Sequence, residues 1–263
     1  MIKVPRFSDQ TLHFLKKAAR QRHPDWLAKH RDEYEKLLLA PLQHLARHLK
    51  SEIGPRAAGY HFPQKSIGRL KRPSNRVRAG HGGMYKSWIS YSASIPSASR
   101  FDHNPNLYFH IDPDDAKEGV LVAGGLYMAS SRQLRSIREA IAEDASAFDR
   151  LFSAKDFARQ FPSGFSDERI STRNPRGFDP NHPRLNWLKL QAFFVWHPYS
   201  RKEFKSADFA SIVARDWKQV LRLNELLEKA IQGRLPKIEA KVKPSRLLEH
   251  LNDVEGPKRQ MDF

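Results

Sequence analysis

Three side chains that could act together on a substrate lie in the stretch RNPRGFDPNHP, residues 173–183. Arg176 supplies a fixed positive charge, Asp179 a carboxylate, and His182 an imidazole whose tautomer a carboxylate can fix. The prolines of this stretch exclude a regular helix or a central strand, so it is a stiff loop. Asp179 and His182 are therefore candidate catalytic residues. The alternative is a turn aspartate paired with Arg176 and a histidine that caps the loop.

An apolar and aromatic run, Leu188 to Trp196, follows this loop. Its composition is typical of a buried strand or a short core helix, which would anchor the loop to the core. Loops held beside a core are frequent sites of binding and catalysis. We predict that the loop folds back toward Tyr85, Lys86 and the Gly124-Gly125 turn and forms one polar pocket with them. Tyr85 is then a third catalytic candidate.

The densest group of basic residues lies in the glycine-containing segment 56–90. Its main cations are Lys65, Arg69, Lys71, Arg72, Arg76, Arg78 and Lys86. Glycine lets backbone N–H groups approach an anion, and the cations would neutralise it. Neither phosphate-loop fingerprint occurs, so the segment is either an unfamiliar anion site or a merely solvated loop. We predict an anion site that uses Arg69, Arg72, Lys86, Arg138 and Arg176.

A second possible anion site follows the third predicted strand. Gly124-Gly125 is expected to end that strand, and Ser130 or Ser131 to cap a helix that carries Arg138. A glycine turn before a helix N-terminus can hold an anion. Glycine serves a tight strand-to-helix connection equally well, so both interpretations stay open.

Other catalytic patterns are missing from the sequence. There is no G-x-S-x-G elbow, and the glutamate of a zinc-protease helix is replaced by Leu45 between His44 and His48. The chain has no cysteine, which excludes disulfides, thiolate metal sites and cysteine nucleophiles. We therefore expect neither a metal nor a cofactor, and the sequence leaves open whether the protein is an enzyme.

The charge balance favours an anionic partner. With 46 Lys and Arg against 29 Asp and Glu, the 263-residue chain carries a net charge of +17. Nucleic acid and phosphorylated metabolites fit this charge, whereas the alternatives are a basic solvated surface or a scaffold that binds an acidic protein. No apolar stretch approaches the ~20 residues of a membrane span, and no secretory signal is visible. We expect a cytoplasmic protein that does not associate with a membrane. The sequence does not indicate its oligomeric state.

The periodicity of apolar residues predicts the helices and strands that position these residues. Ser8 is predicted to cap a first helix, Pro24 to open a second, and Pro41 to break or kink it. The predicted strands are Ser87–Ala93, Leu107–Ile111 and Gly119–Ala123; a long helix is predicted from about 206 to 231. This order indicates an α+β fold, with a mainly antiparallel sheet flanked by N-terminal helices and a long C-terminal helix. We predict one domain, residues 1–235, followed by a basic tail, 236–263.

Several motifs resemble one known family. In chain order they are FLKKAARQRHPDWLAKHRDEYE before Pro41, then Ser66–Arg69, Tyr85–Trp88, Leu107–Ile111, Gly124–Met128 with Leu134, Arg138 and Ile141, and Pro175–Asp179 with His182-Pro183. Over roughly residues 7 to 232 the chain resembles the bacterial and fungal proteins grouped as domain of unknown function 2461. The resemblance implies a single α+β domain and no established activity.

The chain departs from that family in its basic segment. The family pattern has Arg-Asp, Arg-Phe-Ser and Asp-Lys before Pro-Tyr-Lys, whereas here the stretch reads RLKRPSNRVRAGHGGMYKSW. The acidic residues are absent, and Met84 stands in place of the proline. If those carboxylates take part in a reaction in the family, this chain has lost that activity. If they only brace arginines, the remaining cations are more open to an anion.

Overall fold

The computed structural model describes residues 4–65, 67–78, 83–97, 99, 101–113 and 119–235. It has the α+β architecture that the sequence predicts, with a four-stranded antiparallel sheet, helices before it and a long helix after it. Ser66, residues 79–82 of the basic segment and the predicted tail 236–263 lie outside the described residues.

The sheet has the order β1-β2-β3-β4, and each neighbouring pair is antiparallel. Its strands are β1 Ile89–Ser94, β2 Asn106–Ile111, β3 Val120–Leu126 and β4 Phe193–Pro198. The prediction that Gly124-Gly125 ends the third strand is wrong, because β3 continues through both glycines to Leu126. Of the two alternatives for the apolar run Leu188 to Trp196, the structure has the strand, β4, and the short helix Leu185–Leu188 ends where the run begins.

Alternation of side chains gives the sheet two different faces. Tyr91, Phe109, Val122 and Val195 lie on the inner face, each no more than 3% exposed. The residues between these along each strand point to the outer face, including every second residue of β2. These are Asn106, Tyr108 and His110, all only partly buried. The outer face is therefore the side of the sheet on which polar and aromatic groups are accessible.

The helix α11, Phe209–Ile231, packs on the inner face and organises the core. Trp217 is fully buried, stacks on Tyr91 and donates its Nε1–H to the carbonyl of Tyr108 at 3.2 Å. Farther along the helix, Asn224 donates to the carbonyl of Asn106 at 3.0 Å. The helix thus holds the backbone of β2 by hydrogen bonds as well as by packing.

The N-terminal helices pack beside α11 and the sheet. They are α1 Asp9–Ala19, α2 Trp26–Lys29, α3 Arg31–Tyr34 and α4 Ala40–Ile53. The predicted interruption at Pro41 takes the form of a π turn, Glu35–Leu39, between α3 and α4. Proline lacks an N–H, and a π turn is a local change of hydrogen-bond register that can absorb such a defect. Because of it, the chain stays helical from Arg31 to Ile53.

The remaining helices lie between and after the strands. They are α5 Ser74–Arg78, α6 Ser131–Glu143, α7 Ser146–Ser153, α8 Lys155–Gln160, α9 Leu185–Leu188 and α10 Arg201–Phe204. Ser130 caps α6 as predicted, since its hydroxyl accepts from the N–H of Gln133. No described helix has both the length and the apolarity that a membrane crossing requires.

Candidate functional site: a cationic cluster beside an aromatic groove

The basic segment is folded into a short antiparallel pairing just before β1. Lys71 and Tyr85 form a bridge, the N–H of Arg72 donates to Met84 at 2.9 Å, and the N–H of Lys86 donates to Leu70 at 3.0 Å. Residues 69–72 and 84–86 are therefore neighbours in space. This pairing brings together Arg69, Arg72 and Lys86, hereafter the cationic cluster.

Lys86 is the least solvated member of the cationic cluster. Its ammonium group lies 4.3 Å from the centre of the Trp88 ring, and the side chain is half-buried. Burial lowers the pKa of Lys86 to about 8, and the positive charges of Arg72 and then Arg69 add to this effect. The environment of Lys86 is therefore positive and partly dehydrated.

The cationic cluster has unused hydrogen-bonding capacity. The Nε of Arg72 is buried and has no hydrogen-bond partner, whereas Arg69 is exposed. Within the described parts of the chain, no carboxylate forms an ion pair with any of the three side chains. A buried donor without a protein acceptor can be satisfied by an ordered water or by a ligand.

Tyr85, a predicted catalytic candidate, connects this pairing to the N-terminal helices. Its side chain is 1% exposed, and its hydroxyl donates to the carbonyl of Pro24 at 2.8 Å and accepts from the N–H of Leu27 at 3.3 Å. The Nζ of Lys71 also donates to the carbonyl of Pro24, at 3.0 Å. These contacts give the Tyr85 hydroxyl a structural role, which fixes the backbone from which Lys86 extends.

The proline-rich loop is held by contacts within itself and with α6. The carboxylate of Asp179 accepts from the N–H of Asn181 at 2.8 Å, a local turn. His182 lies 3.3 Å from the carbonyl of Ala142 through Nε2, and its Nδ1 accepts from the N–H of Arg184 at 3.0 Å. Arg176 is exposed. This geometry corresponds to the turn aspartate and loop-capping histidine of the structural alternative.

Arg138 lies under the residues that lead into β4. Its Nη2 donates to the carbonyl of Leu190 at 2.8 Å, and burial lowers the pKa of the guanidinium. Its Nε is also buried without a partner. Arg138 thus holds the chain that follows the proline-rich loop, and not the cationic cluster.

The structure does not bring the predicted polar pocket together. Lys86 comes before the first residue of β1, whereas Leu190 comes before the first residue of β4. Because β1 and β4 are opposite edge strands and begin at opposite ends of the sheet, these two places are diagonal corners. Strand spacings put such corners roughly 20 Å apart. Ser171 and Lys189 close the base of the loop at the second corner with a 2.9 Å hydrogen bond.

A groove of about 570 Å³ lies on the outer face of the sheet. Tyr108, Ala123 and Trp196 occupy one line across β2, β3 and β4, because Tyr108 pairs with Ala123 and Ala123 with Trp196. The small residue in the middle leaves an open space between the two aromatic side chains. The groove is lined by Asn106, Tyr108, His110, Leu121, Ala123, Gly124, Tyr127, Ser166, Asp167, Glu168, Phe194 and Trp196. Sequence reasoning missed this site, although alternation in β2 signals two unlike faces.

A row of rings joins the groove to the cationic cluster. The hydroxyl of Tyr108 lies 3.0 Å from Nδ1 of His110, and the ring centres of Trp88 and His110 are 5.6 Å apart. Trp88 in turn contacts the ammonium group of Lys86. Burial raises the pKa of Tyr108, so this hydroxyl stays neutral.

The opposite end of the groove carries two carboxylates and, beside them, the guanidinium of Arg169, which lies 5.2 Å from the centre of the Tyr127 ring. Asp167 and Glu168 belong to a segment that runs beside β4, where Ser166 donates its N–H to Phe194 at 2.8 Å. The hydroxyl of Tyr127 donates to Glu168 at 3.1 Å, and the Tyr127 ring is 45% exposed. The groove therefore runs from two carboxylates toward three cations.

Gly124 and Gly125 lie within β3 at places where a side chain would not fit. A Cβ on Gly124 would lie 2.2 Å from Cγ1 of Val220, so the absence of a side chain lets α11 approach the sheet. Gly125 has φ +121°, and a Cβ there would lie 2.3 Å from the carbonyl oxygen of Phe193. Neither glycine forms the turn before a helix that the anion-site interpretation required.

Comparison with known proteins gives one match. Residues 10–225 match the family described as "Conserved hypothetical protein (DUF2461)", the family that the sequence motifs resemble. The comparisons with curated proteins and with solved structures give no match.

Proposed function

The chain belongs to the DUF2461 family of conserved hypothetical proteins, and from its cationic cluster we propose that it binds a phosphate-bearing anion. The observation that supports this most directly is the state of Lys86. Its ammonium group is half-buried, its pKa is lowered to about 8, and its charged neighbours are Arg72 and Arg69. A nucleotide, a nucleic acid and a phosphorylated metabolite all supply the matching group.

The physical reason is the cost of packing like charges. Each cation disfavours the charged form of its neighbours, and partial burial removes the water that would screen them. A bound dianion would reverse both effects. The planar guanidinium of Arg69 or Arg72 can donate two parallel hydrogen bonds to a phosphate, while Lys86 acts as a point charge.

The difference between this chain and the family pattern in the basic segment supports the same function. The acidic residues of the family pattern are absent between Arg69 and Tyr85. Carboxylates at those positions would compete with an external anion for the same donors. Without them, the donors of the cationic cluster are available to a ligand.

Sulfate is a suitable probe, because it is a tetrahedral dianion that does not titrate near neutral pH. We expect calorimetric titration at pH 7 and low salt to show binding to the wild type, at least tenfold weaker binding to Lys86→Met, and weaker binding to Arg69→Gln. Arg176→Gln is the matched control, since Arg176 is an exposed arginine of the proline-rich loop. Added chloride should weaken binding by screening. Equal affinity in the wild type and Lys86→Met would contradict the proposal.

A further inference from the structure

We infer that the outer-face groove is a ring-binding subsite and that the anion is a nucleotide unit, a planar base joined to phosphate. This rests on the proposed function, which supplies the phosphate subsite, and adds a second part of the ligand. The groove volume of about 570 Å³ lies within the ordinary range for small-molecule sites, roughly 300–1,000 Å³.

The register of the sheet leaves room for a planar ring between Tyr108 and Trp196. Tyr108 and Trp196 face the same central residue, Ala123, from the strands on either side. Two strand spacings separate their backbones by about 10 Å. A planar ring in van der Waals contact on both faces needs about 7 Å between its neighbours. With alanine in the middle, that space is open.

The walls of the groove are suited to stacking. Trp196 is partly buried but makes no ring contact with another described residue. On the other wall, the Tyr108 and His110 rings stack with centres 5.7 Å apart. Aromatic side chains on an exposed sheet face are a recurrent platform for unstacked bases, because every base has a π-face.

Charge sets the direction of the ligand. Asp167 and Glu168 at one end outnumber the single cation beside them, Arg169, and their oxygens accept hydrogen bonds, which matches the N–H donors at a base edge. At the other end, Trp88 is the ring between His110 and the ammonium group of Lys86. A base in the groove with its donor edge toward Glu168 therefore has its sugar and phosphate on the side of His110 and Trp88, the rings that precede the cationic cluster.

Two ligands separate the ring subsite from the phosphate subsite. We expect the wild type to bind adenosine monophosphate at least tenfold more tightly than ribose 5-phosphate, which has the sugar phosphate but no base. Trp196→Leu should abolish this difference by weakening adenosine monophosphate alone. Ala123→Leu, which fills the groove without removing a ring, should do the same. Far-ultraviolet circular dichroism and the melting temperature show whether each variant is folded.

The outcomes distinguish the two proposals. Equal wild-type affinity for the two ligands would overturn the ring subsite and leave phosphate binding intact. If the wild type binds neither these ligands nor sulfate, the proposed function fails. Equal loss of both ligands in folded Trp196→Leu and Ala123→Leu would also overturn the ring subsite.

A third ligand identifies the source of the nucleotide unit. A short single-stranded oligodeoxyadenylate that binds more tightly than adenosine monophosphate, with a steeper salt dependence, assigns the groove to one base of a nucleic acid strand. An oligonucleotide that binds no more tightly assigns it to a free nucleotide. In either case Trp196→Leu should weaken the binding of that ligand, because a chain of net charge +17 also binds nucleic acid without the groove; unchanged affinity would overturn the ring subsite.

Discussion

The ammonium group of Lys86 lies over the Trp88 ring, and burial lowers its pKa to about 8. The ordinary pKa of lysine, which applies to the unfolded chain, is about 10.4. Below about pH 8 the group is charged in both states, and the folded state bears the cost of partial burial. Between these two values the folded state loses the proton first, so the free energy of unfolding rises with pH.

This linkage predicts a pH-dependent difference between the wild type and Lys86→Met. At pH 7 Lys86→Met should be more stable, by about 1 kcal/mol, because solvent screens a half-exposed charge and reduces its cost. At pH 10 the difference should shrink. Urea denaturation of both proteins at both pH values measures it. Lys202→Met, which removes an exposed lysine, should behave like the wild type at both values. A constant difference between pH 7 and pH 10 would argue against the burial of Lys86.

Residue type alone does not predict the contacts that the side chains of the proline-rich loop make. Asp179 and His182 have the types and spacing of an acid–base pair, but both satisfy nearby backbone groups in the folded protein. Tyr85 likewise uses its hydroxyl to hold Pro24 and Leu27. Such contacts form with whatever polar atoms the fold brings near, so a sequence motif does not reveal them.

At the scale of elements, β3 and α11 are fitted to each other through Gly124. A Cβ at this position would meet Cγ1 of Val220 at 2.2 Å and the carbonyl oxygen of Asn106 at 2.5 Å. The second of these atoms belongs to the backbone of β2, so a rotamer change cannot relieve both contacts. The close approach of helix and sheet therefore depends on glycine at this place.

Two glycine-to-alanine changes test this fit. Gly124→Ala should lower the free energy of unfolding by about 1–3 kcal/mol or more, the range for overpacking a filled core. Gly54→Ala is the control: Gly54 has φ −49°, and apart from its two chain neighbours a Cβ there meets nothing within 4 Å. It should change the free energy of unfolding by less than about 1 kcal/mol, because the gain from restricting the unfolded chain is offset by the contact of the new Cβ with the ring of Pro55. Equal thermal stability of the two variants would be inconsistent with the contact.

At the scale of the whole molecule, one hydrophobic cluster includes both helical groups and the inner face of the sheet. It extends from Phe7 before α1, through Phe109 in β2, to Ala230 in α11. Leu15, Leu45 and other N-terminal residues in it are almost completely buried. An N-terminal half separated from the rest would expose these side chains to water.

We therefore predict a single cooperative unfolding transition. Circular dichroism and tryptophan fluorescence should give the same midpoint in urea, since Trp26 and Trp217 lie in different elements of one core. A chain that ends at Leu235 should keep the midpoint of the full chain. Two resolved transitions, or a truncated chain with a clearly lower midpoint, would contradict the prediction of one domain over residues 1–235.

The sequence by itself determined the fold class, the family and most elements. Helical periodicity located α1, α6 and α11, and alternation with β-branched and aromatic content located β1, β2 and β3, because burial of one face leaves a regular apolar pattern. The glycines were less informative, because a chain uses glycine both in turns and where another element approaches closely. At Gly124 only the packing of Val220 shows that the reason is close approach.

Only the tertiary structure decided which chemical groups meet. The five predicted anion-binding residues divide into the cationic cluster at one corner of the sheet and Arg138 and Arg176 elsewhere. The groove depends on the register that aligns Tyr108 with Trp196 across Ala123. Periodicity records which side of an element is buried, but it does not record which element lies beside it. That information resides in long-range strand pairing, which has no local sequence signal.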